Sequence, residues 1–208
     1  MKGGHTLFLV GLTGGLASGK STVAEMLAQS GLPVVNADRI GHELFEKDRD
    51  IRERVVALLG TGILDPQGGI DRQKVASAVF SDRTLMTRLE AILHPAIGDE
   101  IRKRVWALAK AGHGVVVIEV PLLFESGWDS LMDLTVVVDC PPAEQVRRFL
   151  ARGGVSEEEA KRRIASQMAR SERLQRASVV LDNSGRREAL EAGVRRLLEL
   201  IEERKAGH

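Results

Sequence analysis

The sequence predicts an α/β fold: a five-stranded parallel sheet between helices in a three-layer sandwich, with a helical insertion and an arginine-rich lid. Three observations carry that prediction. Five short runs are apolar and mostly Val-rich, which is how strands buried on both faces read, whereas half-exposed strands alternate. The segments between them are long, helical in pattern and mostly free of hairpin signals, as parallel crossovers require. A glycine-rich pattern, G-x-x-x-x-G-K-[ST], joins the first run to a helix.

The first strand is expected over Thr6-Leu7-Phe8-Leu9-Val10-Gly11-Leu12 and the first helix over Ser21 to Ala28. Between them stand Gly14, Gly15, Leu16, Ala17, Ser18 and Gly19, followed by Lys20, Ser21 and Thr22. Glycines let successive N–H groups turn into one cavity, and the helix N-terminus behind them adds roughly half a positive charge. A polyphosphate suits that cradle. Lys20 would reach the β- and γ-phosphate oxygens, and the Ser21 hydroxyl would ligate Mg²⁺.

The second strand, Pro33 to Asn36, ends in Asn36-Ala37-Asp38. Ligands gather at the carboxyl ends of parallel strands, which makes Asp38 a candidate base. As an N-cap of the following helix it is equally at home. From about Asp38 to His113 several helices are expected, punctuated by Gly60, Gly62, Pro66-Gln67-Gly68-Gly69 and His94-Pro95. The third and fourth strands are Val115 to Val120 and Leu134 to Asp139. From about Pro141 to Arg176 the chain is crowded with arginine, interspersed with Glu157, Glu158, Glu159 and Glu172, so most of these arginines form solvent-exposed helical pairs. Arg148 and Arg152, four apart, are the pair expected to share a face and touch ligand. The fifth strand is Ser178 to Leu181, and the last helix carries an apolar face of Leu190, Val194, Leu197, Leu198 and Ile201. The expected organisation is 1–37 core with the loop, 38–112 helical acceptor domain, 113–141 core, 142–176 lid and 177–208 core.

Thirty basic and twenty-nine acidic residues leave a net charge of +1, so no global field collects nucleic acid or an anionic membrane. The single cysteine, Cys140, excludes an internal disulfide and follows an apolar strand, where it reads as core packing. No apolar run reaches the ~20 residues of a membrane span, and the five residues from Met1 to His5 leave no room for a signal peptide. The expectation is a cytoplasmic protein, monomeric or weakly homo-oligomeric, with no nucleic-acid or membrane partner.

The loop alone is compatible with a GTPase switch, a motor ATPase or a small-molecule kinase. No Asn-Lys-x-Asp tetrapeptide occurs, and Asp65-Pro66-Gln67-Gly68, which fits a switch D-x-x-G, lies in a glycine-rich turn with no strand before it. Motors carry paired acids after a hydrophobic strand, whereas the third strand holds Glu119 alone. The kinase reading is the strongest of the three.

These features together resemble the dephospho-coenzyme A kinase family. The loop from Gly11 to Val23 looks like that family's loop, and Asn36-Ala37-Asp38 like its Asp-Ala-Asp. Ile70-Asp71-Arg72, the run Leu89 to Pro95, the run Val120 to Glu125, Val138 to Pro141, Gln145 to Arg148 with Arg152, and Asp182 to Gly185 follow in the family's order. The resemblance implies a P-loop kinase that uses ATP with Mg²⁺ to phosphorylate the ribose 3′-hydroxyl of dephospho-CoA, the last step of coenzyme A synthesis. The alternatives are another small-molecule kinase of that fold, for a nucleoside monophosphate, shikimate or gluconate, or a non-catalytic nucleotide-binding regulator. It also implies Asp38 as the base, Thr13 near the acceptor, and an acceptor pocket shaped by Leu122, Leu123, Phe124 and the His94-Pro95 turn. Arg148 and Arg152 would belong to the cover, and Asn183 would approach adenine. Asn36 departs from the family's acid, which weakens any metal role there, and Ser178 departs from an Asp, with altered contacts near the base as the expected consequence.

Overall fold

The computed structural model describes residues 7–80, 82–153 and 156–207; Thr6 and the five residues before it lie outside them. The chain divides into two compact units, one formed by 1–36 with 107–208 and the other by 37–106.

The first unit holds the sheet. Strands β1 (Phe8–Gly14), β2 (Val34–Asn36), β3 (Val115–Glu119), β4 (Leu134–Asp139) and β5 (Val179–Asp182) lie in the order β2-β3-β1-β4-β5, and all their pairings are parallel. Every residue of β3 and β4 is buried, which is what their unbroken apolar sequence requires. The outermost strand β5 leaves Val180 46 % exposed. Helices α1 (Lys20–Gln29) and α9 (Arg187–Ala206) supply Val23, Leu27, Leu190, Val194, Leu197 and Ile201 to one core with Val10, Leu12, Leu134 and Val136. The expected face of the last helix is therefore present, with Leu198 partly buried at its margin. Because β1 is flanked by β3 on one side and β4 on the other, the chain's crossovers diverge there and open a crevice at the carboxyl end of β1.

The arginine-rich interval forms α6 (Pro142–Leu150), α7 (Glu157–Ala165) and α8 (Arg170–Arg176) of the same unit. Its exposed arginines pair locally as the sequence indicates: Glu159 of α7 takes both Arg162 and Arg163. Arg148 lies within α6 and Arg152 stands two residues past its last one. The turn closed by Gly153 N–H on Leu150 O, with Gly153 at φ 78°, ends α6 at Leu150, so Arg152 lies beyond the helix and is exposed.

The second unit contains α2 (Ala37–Lys47), α3 (Arg49–Leu59), α4 (Arg72–Phe80) and most of α5 (Arg83–Lys110). Its own core joins Ile51, Val55, Ile63, Val75, Val79 and Leu89. Asp65 is a turn residue: its carboxylate accepts from the N–H groups of Gln67 and Gly69, and Gly68 takes φ 79°. The His94-Pro95 turn expected from the sequence does not exist. Both residues lie inside the 28-residue helix α5, which tolerates the proline at the loss of one backbone hydrogen bond to the preceding turn.

Candidate active site

Strand β1 runs directly into the glycine loop, and the loop's shape follows from two steric facts. A Cβ on Gly14 would stand 2.5 Å from the Val138 carbonyl oxygen of β4 and 2.6 Å from Ser18 Oγ, so the strand can turn here only without a side chain. Gly19 takes φ 95° and Ala17, against its preference, φ 57°; a Ser18 N–H to Gly15 carbonyl bond of 3.0 Å closes the turn between them. Helix α1 then starts at Lys20 with no side-chain cap and no acid in its first turn. Its leading N–H groups and the positive end of its dipole are left for an anion. Gly14→Ala is expected to cost about 1–3 kcal/mol through overpacking against β4 and to abolish measurable nucleotide binding, read by thermal unfolding with and without ATP.

Around the start of α1 stand groups contributed by two strand ends. Glu119, last residue of β3 and 5 % exposed, faces Lys20 Nζ at 3.9 Å and accepts from Ser21 Oγ at 3.3 Å through the same oxygen. Its other oxygen accepts from Asn36 Nδ2, at the end of β2, at 2.5 Å. A hydroxyl and a carboxylate in contact are hard oxygen donors, the chemistry Mg²⁺ selects, and this ion is ordinarily held by one or two protein oxygens plus phosphates and water. No group of three or more His, Cys, Asp or Glu side chains that could hold a metal ion exists among the described residues. Glu119 escaped notice as a site residue in the sequence, although its place at the carboxyl end of a parallel strand was a usable signal.

The loop is braced from outside by side chains remote in sequence. Asn183 Nδ2 donates to the Ser18 carbonyl at 2.7 Å, and Arg148 donates to the Asn183 carbonyl at 2.8 Å while Glu144 holds its Nε at 2.7 Å. Hydrogen bonds from Arg147 and Arg148 hold the Glu144 carboxyl down to about 2, so this anchor is ionised at any working pH. The Leu16 N–H donates to Gln167 Oε1 at 2.8 Å. A Cβ on Gly15 would lie 2.7 Å from Gln145 Nε2 and 3.0 Å from Arg173 Nη2, so both side chains press against the loop there. Arg173 is 6 % exposed and donates to the Met168 carbonyl; desolvation lowers its pKa, opposed by Glu125 and Asp139, but a guanidinium stays charged. Next to it Arg170 forms a two-pronged pair with Asp139, at 2.8 and 2.5 Å. Gln145, Gln167 and Arg173 were not legible as site residues, because nothing near them in sequence marks what they touch.

Other candidates take different roles from those expected. Thr13 is 1 % exposed and its hydroxyl donates to the Pro121 carbonyl at 3.1 Å, so it fixes the turn after β3 and presents no open hydroxyl. Leu123 and Phe124 in that turn are core residues, 0 % and 3 % exposed, and Leu122 alone of the three is exposed. Ser178 exchanges hydrogen bonds with Thr135 at the amino ends of β4 and β5. Cys140 is fully buried and burial raises its thiol pKa, which suits packing and not attack. Asp38, exposed, occupies the first turn of α2.

No helix among the described residues is long and apolar enough to cross a membrane. Residues 8–188 match the family model described as dephospho-CoA kinase. A dephospho-CoA kinase of Geobacillus kaustophilus is 42 % identical over 179 residues, 86 % of this chain and 89 % of that protein. Among solved structures, one from Thermus thermophilus superposes with a TM-score of 0.80 at 34 % identity, covering 93 % of this chain and 97 % of that one. The dephospho-CoA kinase of Campylobacter jejuni gives a TM-score of 0.69 at 26 % identity, over 93 % of this chain and 96 % of its own. With a loop built for a polyphosphate, a parallel sheet of this order and this extent of similarity, the chain belongs to the dephospho-CoA kinase family.

Proposed function

We propose that this protein transfers the terminal phosphoryl group of ATP to the ribose 3′-hydroxyl of dephospho-CoA, yielding coenzyme A and ADP, the last step of coenzyme A synthesis. The observation that carries the reading is the uncapped start of α1 with Lys20, Ser21 and Glu119 gathered at it, in a chain matched to the family from residue 8 to 188. The loop N–H groups and Lys20 hold the β- and γ-phosphates and neutralise charge that builds on the transferring group. Ser21 and Glu119 are the residues that would hold Mg²⁺, which when bound shields the phosphate oxygens. The acceptor O3′ forms a bond to the γ-phosphorus as the bond to the β,γ-bridging oxygen breaks. The O3′ proton passes to the Asp38 carboxylate. The unit 37–106 supplies the acceptor side, with His94 and Pro95 as candidate contacts; Leu122, a further candidate, belongs to the sheet unit. Segment 142–176 supplies the cover, in which Arg152, exposed and without a partner among the described residues, is the side chain available to a phosphate.

Incubation with Mg²⁺, ATP and single acceptors tests this. Dephospho-CoA is expected to gain the mass of one phosphate, with adenosine slower and shikimate, gluconate and nucleoside monophosphates inert. Turnover of any of these last three without dephospho-CoA turnover would replace the reading with another kinase, and ATP binding without any turnover would replace it with a regulator.

A further inference from the structure

We propose that Asn36 and Glu119 work as one unit, in which the Asn36 amide is a positioning group that turns the Glu119 carboxylate so that it presents a single, oriented negative charge to the metal position. The inference rests on the phosphotransfer reading for its metal, and on three observations for its geometry.

First, parallel pairing puts the two residues side by side: in the β2–β3 register Asn36 stands opposite Glu119, both at the carboxyl edge of the sheet. Second, the amide can do to Glu119 what a carboxylate could not. Asn36 Nδ2 donates to Oε2 at 2.5 Å, whereas an Asp there would set two acceptors and two negative charges against each other. Held through Oε2, Glu119 directs Oε1 toward Ser21 Oγ and Lys20 Nζ. Third, the carboxylate is 5 % exposed and its positive partner among the described residues is Lys20, the side chain that the triphosphate claims. A buried carboxylate losing its cation demands another, and a divalent ion arriving with the triphosphate meets that demand beside the Ser21 hydroxyl.

The test measures, by calorimetry, the affinity of a non-hydrolysable ATP analogue with Mg²⁺ and with EDTA, and takes the ratio as the metal preference. Glu119→Gln is expected to cut the preference roughly tenfold, as loss of a metal-site partner does, with metal-free analogue binding retained. Asn36→Ala, which frees the carboxylate to turn, is expected to cut it about threefold. The exchange variant Asn36→Asp with Glu119→Gln returns one acid and one amide to the pair, and is expected to regain at least threefold over Glu119→Gln alone. Both replacements in the exchange are near-isosteric and keep the amide-to-carboxylate bond, so melting temperatures stay within a few degrees. An unaltered preference in Glu119→Gln, or an exchange variant no better than Glu119→Gln, overturns the proposal. Failure of dephospho-CoA to accept phosphate would overturn the acceptor assignment and leave the metal preference as a separate result.

Discussion

Lys20→Ala is expected to lower kcat on the order of a thousandfold, the scale seen when one preorganised charge is removed from a transferring group. The effect should appear in single-turnover phosphotransfer, because Lys20 acts on charge that develops as the γ-phosphoryl moves. The KM for ATP should rise as well, by about tenfold, since the same ammonium contributes to ground-state binding. The structure adds a consequence that the motif alone does not contain. Lys20 is the cation facing Glu119, which is 5 % exposed, and its removal leaves a buried carboxylate whose partners among the described residues are the hydrogen bonds from Asn36 and Ser21. A loss of about 1–3 kcal/mol in unfolding free energy should therefore accompany the catalytic defect, and Mg²⁺ with nucleotide should restore part of it. Calorimetric unfolding in the two conditions measures this, and wild-type kcat in the variant would remove Lys20 from the chemistry.

Asp38→Asn is the second large effect. If Asp38 takes the acceptor proton, kcat should fall by about 10²–10⁴, the range for loss of a positioned general base, while the acceptor KM stays within about threefold. The substitution separates the two readings of this residue. As an acid in the first turn of α2, Asp38 also complements the helix dipole, an effect of about 0.3–1 kcal/mol that asparagine loses only in part. A variant with small stability loss and near-normal kcat would make Asp38 a helix residue and nothing more.

How much was legible in the sequence depended on how locally each feature is determined. The loop could be read outright because its strand, glycines and helix are contiguous, and the steric demand at Gly14 is met within one neighbouring strand. The sheet could be read because Val-rich runs buried on both faces carry their environment in their composition. The order of the strands could not, since it is set by which strands find each other across the chain. Pairing decisions at distance hid the remaining site residues too: Gln167 meets Leu16 across 151 positions and Glu119 meets Ser21 across 98. Arg148 and Arg152 differ again: the helix stops between them, so a four-residue spacing does not by itself fix where the Arg152 side chain goes. Pro95 is a third kind, a breaker outweighed by the length of the helix that contains it.

The register of the central strand has a consequence for biosynthesis. Phe8 pairs with Val115 and Val10 with Leu134, so β1 is translated more than a hundred residues ahead of both partners. At roughly 5–20 residues per second, an apolar strand bearing the nucleotide loop waits on the order of 5–20 s at the ribosome before an edge exists to receive it. Nascent chains of this protein thus carry an apolar strand unpaired through half of synthesis, a window in which holdase chaperones have something to grip and crowded expression has something to aggregate.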